Sequence, residues 1–165
     1  MKVPLQLGLR CGCILGLIGL FHVAFSTLTP MPRTTWGLMQ NFYGVITIFF
    51  AGWAGLKTFT ATRRIGLAAL AGALAGVLGV ALFTLALFAL AYGLTDRLAQ
   101  FPFAAEDLKA PGKSVAGYLH SAKGFKDLWT SSLGSLLAMA PLAAGFGAVG
   151  SLVARSVDDI KEPGN

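Results

Sequence analysis

Charge is the property this chain has least of. Only 12% of its 165 residues are Asp, Glu, Lys or Arg, about half the share usual in soluble proteins, near 25%. None of the thirteen Lys and Arg or seven Asp and Glu falls in the middle of an apolar stretch. Arg10, the most marginal, lies near enough to the start of its stretch to snorkel. Ion- and proton-coupled transport needs embedded charges facing a cavity, so that class is disfavoured. Thiols are equally scarce: Cys11 and Cys13 are the whole content. Residues two apart on a helix point about 200° apart, which suits neither a disulfide nor a shared metal face. Both read as small apolar filler.

Catalytic sets are missing as well. There is no Ser/His/Asp arrangement, no phosphate-cradling glycine loop and no His-x-x-x-His pair. Asp96, Glu106 and Asp107 are scattered beside Arg97 and Lys109, the pattern of a solvated loop. His120 has no companion. The chain is read as a non-enzyme, with no catalytic residue and no metal site. Its net charge of +6 does not indicate a nucleic-acid partner, because Lys57, Arg63 and Arg64 flank apolar spans instead of forming a patch interleaved with aromatics.

What the chain has in plenty is apolar length and glycine. Residues 65–94 carry no charge and no proline; as a helix they extend roughly 45 Å, against a hydrocarbon core of about 30 Å. The fold class expected is an all-α integral membrane protein, one membrane domain over residues 1–165. Four transmembrane helices at about 9–28, 36–56, 65–94 and 128–154 form a bundle. Residues 1–28 carry signal-peptide features, namely Lys2, Arg10, an apolar run from Cys11 and Ala24-Phe25-Ser26. They are read here as a retained first helix.

Twenty-one glycines sharpen the picture. Ala68, Gly72 and Gly76 recur every four residues, Gly8, Gly12 and Gly16 make a second row, and Ala143, Gly147 and Ser151 a third. Such rows let helices approach closely in lipid. The first two are expected to pair with each other. The extramembrane segment, residues 95–127, separates helices three and four. From Ser114 to Trp129 the apolar residues Val115, Tyr118, Leu119, Ala122, Phe125 and Trp129 recur at helical spacing, the signature of an amphipathic helix lying in the interface.

Orientation follows from the basic residues. Residues 57–64, KTFTATRR, hold three positive charges and no negative one, which marks that turn as cytoplasmic. Both termini then face the cytoplasm. Trp36, Trp53 and Lys57 resemble interfacial anchors, Gln40, Asn41 and Tyr43 form a polar collar one turn into helix two, and Pro141 predicts a kink in helix four. The short loops and the lack of glycosylation acceptors fit a bacterial inner membrane.

The functional expectation is a non-catalytic accessory or scaffolding subunit of a larger membrane complex, photosynthetic or respiratory energy conversion being one setting. Its partners would be other integral membrane proteins, a hetero-complex before a homo-oligomer, together with membrane lipids. His22 is an ionisable residue set among the apolar residues Leu20, Phe21, Val23 and Phe25 of the first helix. It makes a haem- or chlorophyll-binding protein the alternative reading, with a bound lipid the other cofactor choice. A small-solute transporter built around Asn41, Tyr43 and Pro141 is the second alternative.

Overall fold

Every regular element of the chain is helical wherever the structure, a computed structural model, describes it: residues 2–29, 31–100 and 114–161. In order these are α1 (Lys2–Leu28), α2 (Arg33–Thr62), α3 (Ile65–Gly93), α4 (Thr95–Leu98), α5 (Val115–Leu119) and α6 (Ala122–Lys161). Four of them, α1, α2, α3 and α6, are long and apolar enough to cross a membrane.

The helix ends explain where the expected bounds shift. α1 begins at Lys2 because Pro4 falls in the first turn, where its missing N–H leaves no helical bond unmade. Arg10 is therefore about 12 Å into a helix and not at its start. It is exposed, and the backward tilt of helical side chains aims it toward the amino-terminal end. Between α2 and α3 only Arg63 and Arg64 are non-helical. Arg63 adopts the left-handed conformation (φ 55°) and donates its N–H to Phe59 O at 2.7 Å, which reverses the chain in two residues.

The stretch expected as one interfacial helix is divided. Ser114 caps α5, its Oγ accepting from Gly117 N at 3.1 Å; Ser121 Oγ accepts from Gly124 N at 3.2 Å and opens α6 one turn later. Gly124 has no side chain because a Cβ there would meet the Tyr118 carbonyl carbon at 2.9 Å. The apolar stripe separates accordingly. Val115 and Leu119 are buried under the end of α3 with Leu90 and Ala91, whereas Phe125 and Trp129 are half exposed on the first turns of α6. α6 then runs unbroken through Pro141.

Packing proceeds in an up-down order. α3 lies against α1, α2 and α6, and α2 lies against α1 and α6, so α2 and α3 form a shared central pair. Gly8, Gly12 and Gly16 face Leu74, Leu78 and Leu82 of α3 in turn, with Gly79 answering Leu15; the two helices are parallel, leucines set into glycine hollows. The expected pairing of two small rows is thus replaced by leucine on glycine. Ala68, Gly72 and Gly76 instead meet Ala143 and Gly147 of α6. There the contact is backbone on backbone: a Cβ on Gly72 would come 2.5 Å from Ala143 O, and one on Gly147 2.6 Å from Ala68 O.

Candidate functional site

Tyr43 is the polar residue on which three helices converge. Its hydroxyl lies 3.2 Å from Leu15 O and 3.1 Å from Gly79 O, tying α2 to α1 and α3. Room for it comes from Gly19, where a Cβ would stand 3.0 Å from that oxygen. The ring stacks on Phe83 at 4.5 Å between centroids. One helical turn on, fully buried Thr47 donates to Tyr43 O at 2.9 Å.

His22 stands on the α1 side of Tyr43. It is 8% exposed and enclosed by Trp36, Tyr43 and Phe83, with centroids 6.1, 6.2 and 5.8 Å away. Nε2 is buried without a hydrogen-bond partner. The adjoining hollow between α1 and α2 is about 160 Å³, and His22 itself lines it, with Tyr43, Phe21, Phe25, Phe42 and Met39. An axial metal bond to a tetrapyrrole needs an approachable ring nitrogen; the ring borders the hollow but Nε2 is buried, so a ligand there reaches that atom only if the imidazole turns.

On the other side of Tyr43 lies a larger cavity, about 290 Å³, between α2 and α6. Its floor is α3 at Val80, Phe83, Thr84 and Leu87. One wall carries Gln40, Gly44 and Thr47, the other Ser131, Ser132 and Ser135. Ser131 and Ser135 are exposed and Gly44 is half-buried, so the mouth opens sideways between the two helices. Toward the Arg63 turn the cleft is shut. A Cβ on Gly55 would stand 2.5 Å from Gly147 Cα, and one on Gly150 3.0 Å from the Gly52 carbonyl carbon, leaving no passage between α2 and α6 there. The cleft is blind.

Other sequence candidates fall elsewhere. Asn41 points away from the cleft and is exposed, as is Pro141. Ser151 is fully buried, its hydroxyl spent on Ala148 O. His120 meets Tyr92 edge-on at 5.7 Å. Tyr118 donates to Asp127, which Lys123 also contacts; that carboxylate acceptor holds the Tyr118 phenol above its ordinary value of 10.0. Glu106, Asp107 and Lys109 lie outside the described residues. No group of three or more His, Cys, Asp or Glu converges among the described residues. The cleft itself was not read from the sequence as one site: its signal was the hydroxyl pair Ser131 and Ser135, one turn apart inside an apolar span.

Fold and cleft together define an all-helical protein with four helices long enough and apolar enough to span a membrane. Comparison with protein families, curated proteins and solved structures gave no match.

Proposed function

We propose that this chain is a non-catalytic accessory or scaffolding subunit of a larger membrane assembly, in a bacterial inner membrane with both termini cytoplasmic, and that energy conversion is one setting for it. The observation that carries the reading is Asn41. It is exposed on the outer face of a helix fit to span lipid, and a Cβ on Gly37, one turn before it, would meet nothing within 4 Å. A carboxamide in that position is costly against acyl chains and favourable against a neighbouring helix, where such bonds contribute about 0.6–1.7 kcal/mol. Gly37 lets that neighbour come close.

The rows Gly8/Gly12/Gly16 and Ala68/Gly72/Gly76 are taken up inside the chain, as are Ala143 and Gly147, so they no longer argue for a partner. α6 does. It buries 22% of its apolar window against 39–44% in the other three. A solute pathway gains nothing from a blind cleft, and a tetrapyrrole on His22 gains nothing from a buried Nε2.

The test is a photo-reactive residue placed at Asn41, with Leu20 of α1, also exposed, as control. Adducts to another protein from position 41 but not from position 20, with a native mass well above 17.2 kDa, are expected. A lone chain in mild detergent with no adduct from position 41 overturns the reading.

A further inference from the structure

The geometry points to the cleft between α2 and α6 as a binding site for an uncharged membrane amphiphile, one with a small head bearing carbonyl or hydroxyl oxygens on an apolar tail. Four observations converge. The first is lining chemistry: Gln40, Thr47, Thr84, Ser131, Ser132 and Ser135 all face one cavity, and none is charged. Gln40 contributes two donors and an acceptor. Ser135 gives its proton to Ser131 O at 3.0 Å and Thr47 gives its own to Tyr43 O, so both offer oxygen lone pairs to an occupant. A head with a carbonyl accepts from the amide, and one that also carries a hydroxyl donates to the serine oxygens.

Depth is the second. Gln40 follows Trp36 by four residues, about 6 Å along α2, and on α6 the lining runs from Leu128, level with Trp129, down to Ser135 and Met139, about 9 and 15 Å beyond that indole. Indole rings favour the membrane–water interface, so the cleft opens at that level and its inner end lies beneath it. A phosphate head drawn to that depth would lose its water and find no cation. A neutral head would not.

Third, the mouth faces sideways, which is the route a tail takes into lipid, and the glycine contact of Gly52 and Gly55 with Gly147 and Gly150 closes the far end, so an occupant is held and not passed on. Fourth, the volume of about 290 Å³ stands at the lower edge of ligand pockets, which begin near 300 Å³, room for a head and not for a whole lipid.

Two sources supply such a head, a lipid quinone or a diacylglycerol. The protein is placed in phosphatidylcholine nanodiscs containing either decylubiquinone or dioleoylglycerol and read by native mass spectrometry. One neutral adduct per chain is expected, and the arm that gives it identifies the source. Gln40→Leu with Ser132→Ala and Ser135→Ala is expected to lower occupancy at least about tenfold, the scale of losing two membrane hydrogen bonds. Gly44→Phe tests the same site without removing a polar atom: a side chain there enters open space, fills the mouth and is expected to lower occupancy equally. Helicity by circular dichroism confirms that both variants fold. Adducts of phosphatidylcholine alone, equal occupancy in wild type and both variants, or a co-purifying protein helix cross-linked into the cleft would each overturn the assignment.

Discussion

Adding one methyl group at Gly147 is the sharpest perturbation available, because three helices meet there. Its ideal Cβ would lie 2.6 Å from Ala68 O and 3.0 Å from Gly72 Cα on α3, and the same residue's backbone faces Gly55 of α2. Backbone carbonyls cannot swing aside as a side chain does, so in Gly147→Ala helix α6 must retreat by roughly 0.8 Å to reach ordinary contact. A gap of that size forfeits about a quarter to a half of the attraction at each atom pair it opens. Spread over roughly twenty to thirty pairs at 0.1–0.2 kcal/mol each, the loss is about 0.5–3 kcal/mol. Alanine's better helix propensity returns up to about 1 kcal/mol, so the net change is destabilising over most of that range, by up to about 2 kcal/mol or more. Gly134→Ala is the matched control on the same helix, where a Cβ meets nothing within 4 Å and only the propensity gain applies. Thermal unfolding in detergent, followed by tryptophan fluorescence, should place Gly147→Ala below wild type and Gly134→Ala at or above it. If the two variants melt together, α3 and α6 do not touch through their backbones and the account of the bundle fails.

Further outcomes follow from the polar groups. Tyr43→Phe keeps the stack on Phe83 but removes the hydroxyl shared by Leu15 O and Gly79 O, and should lower stability by about 0.6–1.7 kcal/mol in the same melt; an unchanged melt would mean the three-helix tie carries no weight. His22→Phe deletes a buried nitrogen without a partner while filling the same aromatic enclosure, so it should be neutral or stabilising; loss of an absorbing chromophore on this change would revive His22 as a metal ligand. The Tyr118 phenol, raised by its bond to Asp127, contributes stability that is complete below its unfolded value near 10 and lost as pH rises through the higher folded value. Ultraviolet titration against a Tyr118→Phe reference should show it moving down in Asp127→Asn, and no movement would remove the bond.

The four long helices were legible because an apolar run without charge admits few other readings, and the positions of Trp36 and Trp53, about 26 Å apart along α2, bracket a hydrocarbon core. Helix partners were not legible. A row such as Gly8, Gly12 and Gly16 announces a hollow, but what fills a hollow is a large side chain, and Leu74, Leu78 and Leu82 look like any other leucines in residues 65–94. The division of the stripe from Val115 to Trp129 was hidden for a related reason. Periodicity records which residues are apolar and is blind to a break between them, which falls at His120 and Ser121, where the Ser121 hydroxyl caps the start of α6. The hydroxyls of α6 were visible, but their convergence with Gln40 depends on α2 and α6 running parallel, and no local pattern states that.

Gln40 and Asn41 are consecutive in sequence, about 100° apart around α2, and this separates the two proposals. One amide lines the cleft and the other looks outward. Gln40→Leu should reduce neutral-lipid occupancy and leave the native mass of the assembly alone; Asn41→Leu should shift the mass and leave the adduct alone. If each change abolishes both, the cleft mouth and the partner surface are one surface, and a helix closing over Ser131 and Ser135 would have to be the occupant in place of a lipid. If neither matters, the glycines beside them are open to lipid without purpose, and both readings fall together.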